Sequence, residues 1–323
     1  MKVVIAPDKL RGTYTADEAA AALARGWQEP RLGDEVVEVP LADGGEGTAA
    51  ALVRARGGEW READVHDALG RPCAARFARL IGGSAVLDVA EACGSLRVAD
   101  VRRDPLGASS RGAGELIRAA IEDGALRVVI GVGGTASTDG GAGLRDAIGP
   151  VPDDVELVAA LDVQNPLLGP DGAAAAFGPQ KGASPEQVAE LEERLRRLAL
   201  PTAERPGAGA GGGIGAMLMA LGAKAVPGAA LVAAEAGLAQ ALHGAELCVT
   251  AEGRIDRQTL SGKVVAQVAD ICQAAGVQCI AVGGIVEPVA AEELRWRGCE
   301  THEQGDLERA GRELASRFSS PSG

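Results

Sequence analysis

The stretch Arg127–Gly149, RVVIGVGGTASTDGGAGLRDAIG, decides the fold class. It opens with Val128, Val129 and Ile130, a short β-branched run of the kind that forms a buried parallel strand. The chain then passes Gly131, Gly133 and Gly134, the hydroxyls of Thr135, Ser137 and Thr138, then Asp139 and the glycines 140, 141 and 143. Ala142, Leu144 and Ala147 begin an apolar helix. A strand that ends in a glycine-rich, hydroxyl-lined loop ahead of a helix is how α/β proteins expose backbone N–H groups to anions. Asp139 adds a carboxylate that suits a metal ion or acid–base work. A tight turn with a helix cap explains the same residues without either.

Working outward, 323 residues suffice for two ordinary domains or one large one. Apolar residues make up 46% of the chain, yet only three Phe, three Trp and one Tyr occur, so Ala, Val, Leu and Ile must fill the core. A net charge of −13 argues against nucleic acid or an anionic membrane as partner. The six cysteines (73, 93, 248, 272, 279, 299) form no C-x-x-C pair and several sit in apolar runs, which favours buried free thiols. Met1-Lys2 leads straight into a strand and no apolar run is long enough to span a bilayer, so a cytoplasmic location is expected. Only five of the 32 basic residues are lysines: 2, 9, 181, 224 and 263. In a chain that uses Arg freely, each Lys invites a reason for keeping a compact ammonium.

In chain order, Lys2–Ala6 reads as a first strand closed by Pro7-Asp8, and Thr15 with Glu18 forms a capping box for a helix over 16–27. Lys9 and Arg11 lie between the two. A second strand over 36–39 leaves through PLADGGEGT, where Asp43 and Glu46 flank Gly44 and Gly45 just past a strand end, the usual ligand position in open α/β sheets. From Trp60 to Val89 short alternating runs predict antiparallel strands and the start of a second domain; Asp88 and Glu91 read as capping or solvated acids. Val155–Leu161 is another buried strand, ending at Asp162, and Ser184-Pro185 starts a charged helix through Arg197. Six glycines across the nine positions 207–215 precede an apolar helix, which points to close contact between backbone and a ligand. A strand over 246–250 is expected to end in a loop carrying Glu252, Arg254, Asp256 and Lys263, before a helix over 264–275 and a last strand over 279–282. The final SSPSG is expected to be disordered.

Two nucleotide fingerprints fit poorly. Gly131, Gly133 and Ala136 match G-x-G-x-x-A, but Thr138-Asp139-Gly140-Gly141 interrupts the helix that should carry the pyrophosphate. Gly262-Lys263 lacks the rest of a P-loop. What remains is a set of strand-end loops that combine glycine with acids and bases. Scattered cations in an acidic protein suit a small anionic substrate, and carboxylates suit Mg²⁺ and a hydroxyl nucleophile; phosphoryl transfer needs both.

Seven blocks, APDKLRGTYTA, PLADGGEGT, GGTASTDGGAG, DVQNPLLG, FGPQKGA, PGAGAGGGIGA and AEGRIDRQTLSGK, occur in an order that closely resembles the bacterial type I glycerate kinases. The resemblance spans residues 6–263. It implies ATP- and Mg²⁺-dependent phosphorylation of D-glycerate, with 2-phosphoglycerate the usual product. It also implies a flavodoxin-like doubly wound α/β domain with a second α/β domain inserted, the active site lying between them. The boundaries expected are 1–60 plus 235–323 for the first and 61–234 for the second. The chain departs from the family at Lys9 and Arg11, where Ser and Lys are common, at Thr138, where Asn is common, and in lacking a segment between Gly149 and Val155.

Under this reading Lys9, Arg11 and Arg254 are expected to meet the glycerate carboxylate, with Asp43, Gly44, Gly45 and Glu252 completing the substrate site. Gly207, Gly209, Gly211, Gly212, Gly213 and Lys263 are expected at the nucleotide. Asp162, held rigidly at a strand end, is expected as general base, with Lys181 beside the chemistry and Asp139 and Asp256 toward the metal. Two alternatives stand: a nicotinamide-dependent dehydrogenase using 131–136, and a non-catalytic carboxylate- or nucleotide-binding protein. Regiochemistry and homo-oligomerisation are left open.

Overall fold

A computed structural model describes residues 1–10, 12–161 and 163–318. Arg11, Asp162 and the SSPSG tail lie outside them. The elements run β1 (Lys2–Ile5), α1 (Ala16–Gln28), β2 (Glu35–Glu38), α2 (Thr48–Arg56), β3 (Gly58–His66), β4 (Pro72–Leu80), β5 (Ala85–Asp88) and α3 (Ala90–Cys93). Next come α4 (Arg111–Glu122), β6 (Arg127–Val132), α5 (Ala142–Ile148), β7 (Glu156–Leu161), α6 (Ala173–Phe177), α7 (Pro185–Arg197), α8 (Ala210–Ala220) and β8 (Lys224–Pro227). The chain continues through α9 (Gly228–Glu235), α10 (Leu238–Ala241), β9 (Leu247–Ile255), α11 (Val264–Ala275), β10 (Gln278–Val286), α12 (Pro288–Trp296), β11 (Cys299–Glu303) and α13 (Leu307–Arg317).

The chain divides into one unit made of Met1–Asp43 and Ala229–Gly323, and a second, Gly44–Gly228, inserted between those segments. The expected junctions were 60/61 and 234/235. Residues 44–60 fall with the second unit because α2 packs on β4 and β5, which belong to it.

The first unit holds a five-stranded sheet in the order β11-β10-β9-β1-β2, every pair parallel. Counting only this unit's strands in sequence, the order is 2-1-3-4-5, the flavodoxin-like arrangement. Apolar residues of β1, β9 and β10 bury one face under α1 and α13 (Val3, Ile5, Leu23, Trp27, Val249, Ile280, Leu314). The two helices pack with backbones almost touching, since a Cβ on Gly26 would lie 1.9 Å from Glu308 O. Thr15 and Glu18 form the expected capping box at the start of α1. On the opposite face Cys248, Cys279 and Cys299 stand side by side in register, with the Cys272 thiol of α11 near the first two. Hydrogen bonding to Cys272 together with burial pushes both of those thiols well above the ordinary range.

The second unit is a six-stranded sheet, β3-β4-β5-β6-β7-β8. As the alternating pattern predicted, β3, β4 and β5 are antiparallel; from β5 to β8 the strands are parallel. Ser184 and Gln187 form a capping box at the start of α7. The core is Val, Leu, Ile and Ala with very few aromatics, as composition requires.

Two strands overrun their expected ends. β9 continues through Glu252 and Arg254 to Ile255, and β10 through Gly283-Gly284 to Val286, because the extensions pair with each other (Gly283 with Glu252, Ile285 with Arg254). Among the described residues no helix is long and apolar enough to cross a membrane.

Candidate active site

In an open sheet of this order, ligands bind outside the carboxyl ends of the strands where the winding reverses, here β1 and β9. Asp8 follows β1 after Ala6 and Pro7, its N–H donating to Ala251 O of β9 at 2.9 Å. Leu41 N–H donates to Pro7 O at 2.9 Å, which draws the segment after β2 alongside and sets Asp43 nearby. Both carboxylates are buried, at 3% and 5% exposure. Lys9 serves each of them: its backbone N–H donates to Asp8 Oδ1 at 2.7 Å, and its ammonium lies 3.4 Å from Asp43 Oδ1. Burial, with the charges of Asp43 and Glu252, pushes the Asp8 carboxyl up to about 7 against the pull of Lys9. A buried acid near neutrality is suited to exchanging a proton or to accepting a cation in its place.

Glu252 closes the group from β9. Thr259 Oγ1 donates to its Oε2 at 2.8 Å, and the Lys263 ammonium lies 3.6 Å from its Oε1. Burial raises the Glu252 carboxyl; Lys263 and Thr259 oppose the rise. Asp256 turns its Oδ1 to the N–H groups of Gln258 and Thr259, closing the turn that returns Thr259 to Glu252. Arg254 is more than half exposed and paired with Glu287 and Asp256.

The second unit has its own cluster at the carboxyl end of β6. The Lys181 ammonium donates to Thr135 Oγ1 at 3.1 Å and to Ser137 O at 2.5 Å. Ser137 Oγ and Thr138 Oγ1 are buried with no protein partner among the described residues. Asp139 braces the loop: its Oδ2 accepts from Ser110 N and Ser110 Oγ, both at 2.8 Å, and from Gly143 N at 3.1 Å, while Oδ1 accepts from Gly141 N. These bonds satisfy the first N–H groups of α5 and tie its start to Ser110.

The glycines at 207–213 are crowded by protein. Gly212 O accepts from Gly140 N at 3.0 Å, joining the two glycine loops backbone to backbone. A Cβ would lie 2.1 Å from Ser137 O at Gly212, 2.6 Å from Gly140 Cα at Gly213 and 2.9 Å from Val132 Cγ1 at Gly211. At Gly207 and Gly209 it would meet Leu161 Cδ1 at 2.3 Å and Pro166 O at 2.5 Å. Gly44 packs against Gly228 and Ala160, and Gly45 O accepts the Thr48 hydroxyl. Asp88, expected as a capping acid, receives the N–H groups of Gly47 and Ala49 at the start of α2; Glu91 pairs with Arg76 and Arg97. The G-x-G-x-x-A pattern at 131–136 leads into no helix until Ala142, which leaves a dinucleotide no helix N-terminus where it needs one.

The glycerate kinase family model matches residues 3–154 and 150–304. The chain belongs to the glycerate kinase family. Its two matched stretches overlap at residues 150–154. The chain is 38% identical to the glycerate 2-kinase of Escherichia coli K12, covering 88% of this chain and 85% of that one. It is 36% identical to a Bacillus subtilis glycerate kinase, covering 88% and 85%. A crystal structure of a protein assigned as glycerate kinase 2, from Salmonella typhimurium LT2, superposes with a TM-score of 0.79 at 32% identity, covering 98% of each chain.

Of the residues expected at the site of this glycerate kinase family member, Lys9, Asp43, Glu252 and Lys263 gather in the first unit. Arg254 turns to surface acids, and Arg11 and Asp162 lie outside the described residues. Lys263, expected at the nucleotide, stands beside Glu252. Two residues stand in the site without an expected role. Asp8 belongs by sequence to the strand-end cluster with Lys9 and Arg11, but carries no role of its own there. Thr259 is one hydroxyl in a polar turn, and nothing local shows that it folds back seven residues.

Proposed function

We propose that this protein transfers the γ-phosphoryl group of ATP to D-glycerate in the presence of Mg²⁺, giving 2-phosphoglycerate and ADP. The observation that carries the reading is the buried Asp8–Asp43 pair bracketed by Lys9 at the reversal point of a flavodoxin-like sheet. Mg²⁺ in kinases is held by one or two carboxylates plus substrate phosphates, and rarely by an all-protein cage. Among the described residues no three acid, His or Cys side chains converge as such a cage, so a carboxylate pair fits this mode. Asp8 and Asp43 would hold the ion, which when bound neutralises charge on the transferring phosphoryl group.

The remaining roles fall to this chain's own groups. Lys9, with Arg11, draws the glycerate carboxylate against the protein's overall negative charge. Glu252 accepts a substrate hydroxyl with its carboxylate oriented by the Thr259 hydroxyl and paired with Lys263. Lys181 supplies positive charge for the phosphates, and Asp162 takes the hydroxyl proton as general base. Asp139 is left out of the metal role, because its Oδ2 is filled by backbone and hydroxyl donors.

Incubating the protein with ATP, Mg²⁺ and D-glycerate and recording phosphorus NMR tests the reading. A new phosphomonoester signal matching 2-phosphoglycerate is expected. ADP release that does not depend on glycerate would overturn it, and a 3-phosphoglycerate signal would overturn the regiochemistry.

A further inference from the structure

We infer that Thr259 is a positioning residue for substrate recognition, acting through Glu252. The inference rests on the reading of this site as the place where glycerate binds. Thr259 is fully buried in a short 3-10 turn that follows β9, yet its side chain is the polar end of a relay. Its Oγ1 accepts the Asp256 N–H at 3.1 Å, which spends a lone pair and turns the hydroxyl proton away from the turn. That proton has two acceptors within reach, Glu252 Oε2 at 2.8 Å and Arg254 O at 3.3 Å. The carboxylate is the nearer and the charged one, and charge-assisted bonds are roughly twice as strong as neutral ones, so the proton goes to Glu252.

The other oxygen of Glu252 faces Lys263, from the far end of the same turn. One carboxylate is thus hydrogen-bonded at one oxygen and ion-paired at the other by residues seven and eleven positions ahead of it in the chain. Such a clamp does little for a solvated acid. Glu252 is not solvated: its side chain is 13% exposed, with Asp8, Asp43 and Asp256 as acidic neighbours and Lys263 as its cation. In that setting an unrestrained carboxylate would turn away from the other acids, which removes it as an acceptor for a substrate hydroxyl. Thr259 opposes that rotation. The ligand class that gains from this arrangement is a small hydroxy acid, its hydroxyl donating to the free lone pairs of Glu252.

The test compares Thr259→Val, which keeps the volume and removes the donor, with Thr259→Ser, which keeps the donor. Thr259→Ala serves as a second donorless variant should the valine fail to fold. Each is checked by thermal melting, then by separate KM values for glycerate and ATP, and by calorimetric titration of D-glycerate without nucleotide. The donorless variants should bind glycerate roughly tenfold more weakly, about the worth of one hydrogen bond to a charged group, with the ATP KM within about twofold of the parent. Thr259→Ser should restore glycerate binding. A merely structural threonine would lower the melting temperature and move both KM values or neither. Folded donorless variants with the parental glycerate KM would overturn the inference while leaving the proposed activity intact. A parent protein that neither binds nor phosphorylates glycerate would instead overturn the proposed function, and this inference with it.

Discussion

The Lys9 ammonium lies 3.4 Å from Asp43 Oδ1, with the two side chains only 18% and 6% exposed. A pair this sheltered behaves differently from a surface ion pair, because removing one partner leaves a charge with little water to replace it. Lys9→Met should lower stability by about 1–3 kcal/mol, below the roughly 3–5 of a fully buried pair because the lysine keeps some solvent contact. Lys9→Arg should recover most of that loss but not glycerate affinity, since a planar guanidinium is a poor copy of a compact ammonium. Urea melts and glycerate KM values for the two variants check both halves.

Asp8 predicts how stability depends on pH. Its folded pKa, about 7, stands above the ordinary carboxylate value near 3.9 that the unfolded chain would show. Between those values the folded state binds more protons than the unfolded state, so this group's contribution is full below about pH 4 and is lost as pH rises through 7. Asp8→Asn keeps the oxygen that accepts from Lys9 and removes the titration. It should therefore raise the melting temperature at pH 8, change it little at pH 4, and reduce turnover. Mg²⁺ without nucleotide should stabilise the parent protein more at pH 8 than at pH 5, where protonation competes, and should not stabilise Asp8→Asn. Thermal melts at the two pH values with and without Mg²⁺ decide it; equal Mg²⁺ effects in both proteins would remove Asp8 from the metal site.

Much of this architecture was legible because burial writes itself into composition. The apolar runs at 128–130 and 155–161 became central strands, Thr15–Glu18 became the expected capping box, and Ser184-Pro185 starts α7 as expected. Strand ends were less legible: Glu252, Arg254 and Gly283-Gly284 look like loop residues, and only the pairing of β9 with β10 makes them strand. The glycines at 207–213 show the same limit. Dense glycine marks close backbone approach, but a linear pattern cannot say whether a ligand or another loop approaches; at Gly212 and Gly213, Ser137 and Gly140 come close. Asp139 and Asp8 were both acids after strands. What separates them is the number of backbone donors pointing at each, a property of tertiary structure.

For Asp139, that donor count gives a direct prediction. Asp139→Ala leaves the N–H groups of Ser110, Gly141 and Gly143 without their acceptor. Lost caps and unsatisfied donors cost about 1–3 kcal/mol each at most and are not additive, so a total loss of roughly 2–4 kcal/mol is expected. The Mg²⁺ concentration for half-maximal rate should stay that of the parent. A shift in that concentration without loss of stability would return Asp139 to the metal.

Gly212 offers the sharpest test of what the glycine loop is for. Its φ of +71° is one that L residues rarely adopt, and a Cβ there would lie 2.1 Å from Ser137 O and 2.9 Å from the Lys181 ammonium. Backbone on one side and a hydrogen-bonded lysine on the other leave nothing that can give way cheaply. Gly212→Ala should therefore destabilise the protein by more than about 3 kcal/mol, through left-handed strain and overpacking together, and should do so without any ligand present. A loop kept open for nucleotide phosphate predicts otherwise: normal stability with a raised ATP KM. Gly211→Val cannot separate the two readings, because its Cβ would already meet Val132. Chemical denaturation of Gly212→Ala beside the parent, both without ATP, distinguishes them; a variant as stable as the parent would mean that the loops tolerate the methyl and that the glycine is kept for the ligand.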